Sequence, residues 1–330
     1  MQTLIAVDGL KVWFPLRIGF FKSLIGGEDQ YVHAVDGVSF QLQKGEIFCL
    51  AGESGCGKTT TGKALLRLVQ PTAGSIEYEG VDILSLSNKE MKDYRRKLQI
   101  IFQDPYGSLN PRQTVKEIVA EPLKVHNLAQ KTDDLRDYVN LALTNAGLTP
   151  PEEFWNRYPH ELSGGQQQRV VIASVLVLEP DFIVADEPVS MLDVSIRSEI
   201  LRLMLGLRDT ANLTYLFITH DLSLAWTIAD RIGVMYLGRL VEVGNADRII
   251  YHSLHPYTKA LISVVPSPDP KARERKRTIL EGDPPSPIQI PSGCRFHPRC
   301  PISKDGCKLE EPKLRELDDG HYVACHHAQL

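Results

Sequence analysis

Residues 46–59 read Glu46-Ile47-Phe48-Cys49-Leu50-Ala51-Gly52-Glu53-Ser54-Gly55-Cys56-Gly57-Lys58-Thr59. The first six form a short, mostly apolar run that stops at a glycine, the pattern of a buried strand. Lys58 to Val69 then reads as a helix. Between the two, Gly52-x4-Gly57-Lys58-Thr59 matches the phosphate-loop pattern with nothing missing. Its glycines let the backbone curl so that N–H groups face an anion at the N-terminus of the next helix. Lys58 would bring a positive charge to the β- and γ-phosphates, and the Thr59 hydroxyl would ligate Mg²⁺. A glycine-rich turn that holds no nucleotide is the alternative, and the flanking strand and helix count against it.

Outward from this loop, strands and helices alternate. Leu4 to Trp13 has strand alternation, as does Ala34 to Leu42 around an expected turn at Asp36-Gly37. Residues 17–30, with Gly26-Gly27 and several aromatics, read as a surface insertion. Helical spacing appears over Val115 to Val125, Leu135 to Ala146 and Gln166 to Leu178. Asp181 to Ala185 and Thr214 to Thr219 read as strands, with a helix over Ser195 to Leu207 between them. This order implies a largely parallel sheet, interrupted by a helical subdomain over about 104–172.

At 330 residues the chain is long enough for roughly two domains. A composition of 43% hydrophobic and 24% charged residues is that of a folded protein. A net charge of -4 gives no electrostatic reason to expect nucleic acid as a partner. No apolar run approaches the ~20 residues of a membrane span. The start, Met1-Gln2-Thr3-Leu4, lacks a signal-peptide pattern, so a cytoplasmic protein is expected.

Past about His255 the chain changes character. Eleven of its 21 prolines lie from Pro256 onward, a density that opposes helix and central strand. The basic run Lys271-Ala272-Arg273-Glu274-Arg275-Lys276-Arg277 reads as solvated surface, and the whole tail as a separate small module. Four of the six cysteines crowd into it as Cys294-x5-Cys300-x6-Cys307-x17-Cys325. Disulfides are unexpected in a reducing compartment, and no Cys-x2-Cys pair marks a zinc ribbon. Four thiolates suit a [4Fe–4S] cluster or a structural Zn²⁺, and free thiols remain a third reading. His297, His321, His326 and His327 are nearby alternative ligands.

Five further motifs, the first of them Gln103, follow the loop along the chain. Asp186 closes the apolar run Phe182-Ile183-Val184-Ala185, as the second Mg²⁺-side carboxylate should. The adjacent Glu187 is the candidate to polarise an attacking water. Leu162-Ser163-Gly164-Gly165-Gln166, together with Met191-Leu192-Asp193 and His220, completes the set.

With these motifs the sequence resembles the nucleotide-binding subunits of ABC (ATP-binding cassette) transporters, from about residue 3 to residue 255. The resemblance implies an α/β, ABC-type P-loop nucleotide-binding domain over 1–255. That domain would have a RecA-like core, an antiparallel β subdomain and an inserted helical subdomain. A Pro-rich, cysteine-containing extension over 256–330 would follow it. It implies ATP with Mg²⁺ held by Gly52, Ser54, Gly55, Cys56, Gly57, Lys58, Thr59 and Thr60. Ser163, Gly164, Gly165 and Gln166 would meet the γ-phosphate held by an opposing subunit. Gln103 would touch Mg²⁺ and water and report to membrane subunits, His220 would contact the γ-phosphate, and Asp193 would cross the dimer interface. Phe14 would stack on adenine, with Tyr31 and Trp13 as rivals. Met191 stands where the family usually has alanine, and methionine should repack there without killing the site. An active ATPase is expected.

A second resemblance covers nearly the whole chain. Gly293-Cys294-Arg295-Phe296-His297-Pro298-Arg299-Cys300-Pro301, Phe102-Gln103-Asp104-Pro105-Tyr106-Gly107-Ser108-Leu109-Asn110-Pro111-Arg112 and His255-Pro256-Tyr257-Thr258 look like oligopeptide/dipeptide importer ATPases. Gly282-Asp283-Pro284-Pro285-Ser286-Pro287 is closer to the second of that family's two ATPase subunits. The implied partners are a paralogous ATPase or a second copy, two transmembrane permease subunits and, indirectly, an extracytoplasmic solute-binding protein. The implied place is the cytoplasmic face of the membrane, and the cargo di- or oligopeptides, oligosaccharides or nickel. A soluble ABC ATPase of DNA repair or translation is the alternative. The first would carry long heptads, which are absent, and the second two cassettes, where this chain has one.

Overall fold

The computed structural model describes residues 2–16, 30–128, 132–265, 280 and 282–329. The insertion expected over 17–30 (save Gln30) and the basic run 271–277 lie outside the described residues. The chain divides into two compact units.

One unit comprises Thr3–Leu42, Ile47–Leu84 and Ile218–Leu330. It holds a four-stranded sheet in the order Tyr31–Gln43, Thr3–Pro15, Ala73–Tyr78, Val81–Asp82. In its second set of strands Ile47–Ala51 runs parallel to Arg231–Tyr236, which turns back as Arg239–Asn245. The turn places Leu237 and Gly238 at φ 44° and 79°, as a tight two-residue hairpin demands. His321–Val323 and Arg315–Asp318 then add antiparallel strands at the edge of Arg239–Asn245. All five residues of Ile47–Ala51 are buried, which explains a run without alternation: a parallel strand is covered on both faces.

Two local expectations change in this unit. Asp36-Gly37 is not a turn; the strand runs unbroken from Tyr31 to Gln43, with Gly37 at φ 89° inside it. Asp36 is consumed by side-chain pairing, accepting from the Trp13 indole at 3.1 Å and from the Arg295 guanidinium. The helix after the phosphate-loop pattern ends at Leu65, before Val69, and Arg67 takes a left-handed conformation just beyond it.

The other unit comprises residues 1–2, 43–46 and Ser85–Phe217. Leu98–Ile101 lies parallel to Phe182–Asp186, with Thr214–Thr219 next in order, and the unit boundary falls within that last strand. Val115–Val125 and Thr132–Asn145 pack against Gly164–Leu176 to make the helical region expected from the periodicity. Capping boxes start two of these helices, Thr114 with Glu117 and Ser163 with Gln166. Trp155 ties the region together: its indole N–H donates to Asn140, and Lys116 and Arg136 lie over its ring. The helix expected at Ser195 to Leu207 extends over Val194–Ala211, to Asn212 in the left-handed region.

Candidate nucleotide site

The loop 52–57 leaves the buried strand Ile47–Ala51 and enters the helix Lys58–Leu65. Gly57 sits at φ 109°, and a Cβ there would collide with the Ala34 carbonyl, so no other residue fits. The Lys58 side chain is buried, and its ammonium donates to the carbonyls of Gly52 at 2.7 Å and Glu53 at 2.9 Å. The cation thus lies folded over the loop. Ser54 and Gly55 are exposed, Thr59 and Thr60 half-buried. Cys56 is a buried filler, its thiol pushed up by burial against the opposing pull of Lys58. Cys49 is buried in the strand and its thiol is likewise pushed up by burial. Among the aromatics, Trp13 is engaged, 4.3 Å from the His33 ring and 6.4 Å from Tyr31. Phe14 is exposed at 40%. His220 is exposed in the same unit, just before Asp221 caps the helix Leu222–Ile228.

In the other unit, Gln103 and Glu187 meet: the Gln103 amide donates to Glu187 Oε2 at 3.0 Å. Asp186, at the end of its strand, is 6% exposed. Glu187 adopts φ 48°, unusual for a residue with a Cβ, and its carbonyl accepts from the Ser190 N–H and hydroxyl. The segment 190–193 is bound to the helix behind it, since Arg197 donates to the carbonyls of Leu192 and Ser190. Met191 and Asp193 point to solvent, Met191 being 54% exposed. Ser163 Oγ accepts from the Gln166 N–H at 3.3 Å, and Gln166 Oε1 accepts from the Ser163 N–H at 3.0 Å. This reciprocal cap sets the start of the helix Gly164–Leu176. A Cβ on Gly165 would lie 2.7 Å from Ile196 Cγ2, so the glycine admits the neighbouring helix.

The four tail cysteines lie in one neighbourhood, near enough to influence one another electrostatically. The Cys294 N–H donates to the Cys307 carbonyl at 2.8 Å. The Cys294 thiol is pushed up to about 11, first by burial and then by the nearby Cys300, Cys307 and Cys325. Among the described residues, however, no group of three or more His, Cys, Asp or Glu side chains is arranged to hold a metal ion. The candidate histidines are partly engaged elsewhere. His321 pairs with the buried Glu242 at 2.8 Å, and His326 and His297 bond to the carbonyls of Glu310 and Cys294. His327 Nε2 lies 3.4 Å from Cys307 Sγ.

Comparison with known proteins adds the lineage. Residues 35–190 match the family ABC transporter, and residues 241–307 match the oligopeptide/dipeptide transporter C-terminal region. The chain is 46% identical over 327 residues to the oligopeptide transport ATP-binding protein AppF of Bacillus subtilis, covering 98% of this chain and 97% of AppF. It is 51% identical over 301 residues to YkfD of the same organism, 91% of each chain. The chain belongs to the ABC transporter family. Among solved structures, the dimeric ABC transporter cassette MJ0796 is 28% identical with a TM-score of 0.63, covering 74% of this chain and 99% of that one. CbiO1 of Clostridium perfringens, part of the ABC transporter complex CbiONQ, is 27% identical with a TM-score of 0.64, covering 76% of this chain and 92% of that one. This chain is therefore an ABC-type ATPase with the ABC cassette fold, and the DNA-repair or translation reading gives way to a transporter one.

Several residues that shape the cassette stand in the motifs quoted above with no role read for them. Glu53, Tyr257 and Arg299 meet at the loop, and Arg295 links Asp36, the Leu237 carbonyl and Glu311. Burial would raise the Asp36 carboxyl, but Arg295 and then Arg239 outweigh it and hold it below the usual range. Nothing local marks these partners, which stand as far as 259 positions apart in the chain. Among the described residues no helix is long and apolar enough to cross a membrane.

Proposed function

We propose that this ABC ATPase powers uptake of di- or oligopeptides as the second-type ATPase of an importer. The observation that carries the reading is the oligopeptide/dipeptide transporter region at 241–307, joined in one chain to the ABC match at 35–190. The cassette spans 1–255, with its helical subdomain over about 104–172, and the extension spans 256–330. Gly52, Ser54, Gly55, Cys56, Gly57, Lys58, Thr59 and Thr60 cradle the phosphates, and Phe14 stacks on adenine. The exposure of Phe14 supports this, as does the engagement of its rival Trp13 with His33 and Asp36. Thr59, Gln103 and Asp186 serve Mg²⁺, Glu187 polarises water, and His220 meets the γ-phosphate. Ser163, Gly164, Gly165, Gln166 and Asp193 serve the site of an opposing subunit, either a paralogue or a second copy. ATP closes the pair, and hydrolysis reopens it beneath two permease subunits at the cytoplasmic face of the membrane, supplied by a solute-binding protein.

Deleting the gene is expected to abolish uptake of labelled di- and tripeptides, with recovery on re-expression. Loss of oligosaccharide or nickel uptake instead would overturn the peptide class. Cys294, Cys300, Cys307 and Cys325 are proposed to hold a [4Fe–4S] cluster, with zinc as the alternative. The mutual proximity of the thiols supports this, although they stop short of a closed donor set. Anaerobically purified chain should carry iron and labile sulfide; stoichiometric zinc would overturn the cluster.

A further inference from the structure

Glu53 occupies the second position of the loop and is held from three sides. Its N–H donates to the Tyr257 hydroxyl at 2.9 Å, and its carbonyl accepts from Lys58 Nζ at 2.9 Å. Its carboxylate receives both prongs of Arg299, Nη1 to Oε2 at 3.0 Å and Nη2 to Oε1 at 3.2 Å. Arg299 comes from the far end of the chain, 246 positions away, between Cys294 and Cys300. Its side chain is only 8% exposed and that of Glu53 26%, so this is a sheltered, two-pronged charge pair. Tyr236, Tyr257 and Phe296 pack on one another with ring centres 4.7 to 5.4 Å apart, and the Arg299 guanidinium lies 6.0 Å over the Tyr236 ring. The aromatic cluster therefore fixes both Tyr257 and Arg299.

A carboxylate on a loop that receives polyphosphate needs a counter-charge, because unpaired it repels the ligand. Lys58 cannot supply both demands. We propose that Arg299 is a positioning residue for the phosphate loop. It neutralises Glu53 and anchors the loop to the C-terminal extension, so that ATP affinity depends on the tail. This rests on the assignment of 52–59 as the phosphate loop.

The test uses the full chain, with ATP as the probe, in calorimetric binding and steady-state hydrolysis. Arg299→Ala is expected to raise KM and Kd for ATP about tenfold while kcat stays within about twofold. Arg299→Ala combined with Glu53→Gln is expected to return both to within about threefold of the parent, because the uncompensated charge is gone. Unchanged KM in Arg299→Ala, or a loss that Glu53→Gln does not relieve, overturns the inference. If Arg299→Ala does not fold, Arg299→Lys carries the test. It keeps the charge but loses the fork, so KM should rise about threefold and be relieved by Glu53→Gln; no rise overturns the inference. Lys58→Ala is read in parallel: its loss of ATP binding supports the loop assignment, and intact binding would overturn that assignment together with the inference.

Discussion

Glu187 shows how much a single residue's setting decides. It follows a fully buried strand, turns into the left-handed region, and presents its carboxylate to the Gln103 amide at 3.0 Å. A group held this way can orient a water and accept its proton without rearranging. Glu187→Gln keeps the shape and removes the proposed base, so turnover is expected to fall about 10²–10⁴-fold with ATP binding retained. Phosphate release and calorimetry measure the two separately. The same variant should elute as a monomer without nucleotide and as a dimer with ATP on size exclusion. Undiminished phosphate release would remove Glu187 from the role.

At the scale of elements, the helix Pro256–Ser263 depends on how it begins. His255 caps it, with Nδ1 accepting from the Tyr257 N–H at 3.1 Å, so the ring must be neutral at that nitrogen. Burial pushes His255 down to about 4, although Glu242 pulls the other way. The unfolded chain then binds a proton near pH 6.5 that the folded chain refuses until about pH 4. Stability from this group is complete above about pH 6.5 and falls as the pH drops through that window, by at most about 3 kcal/mol. His255→Asn supplies a non-titrating cap and should flatten this part of a melting-temperature profile between pH 7.5 and 4.5. An identical profile for the two proteins would show that His255 does not carry it.

For the molecule as a whole, the tail is sewn into the unit that carries the loop. Glu242, fully buried in the strand Arg239–Asn245, accepts from the Leu254 and His255 N–H groups and from His321 at 2.8 Å. His321 begins the tail strand that pairs with Arg239–Asn245. Removing one hydrogen-bond donor from a buried carboxylate costs about 1–3 kcal/mol. His321→Ala is therefore expected to lower the melting temperature by about 2–12 °C. No change by calorimetry would make the tail an appendage.

Much of the local geometry at the candidate site was legible in the residues themselves. Gly57, Lys58, Ser163, Gly165 and Glu187 stand where a few neighbouring residues set the curl of a loop, the start of a helix or the end of a strand. Periodicity likewise announced Val115–Val125 and Gly164–Leu176, because amphipathic helices repeat. The short strand Leu98–Ile101 passed unnoticed, since four residues directly after a helix carry no turn signal. Asp36-Gly37 looked like a turn because local propensity cannot see Arg295 arriving from the tail. The pairs Arg299–Glu53, Arg295–Asp36 and His321–Glu242 were decided only by the tertiary structure. Each joins polar side chains far apart in the chain, and what makes them specific is a shared loss of water that no local pattern records.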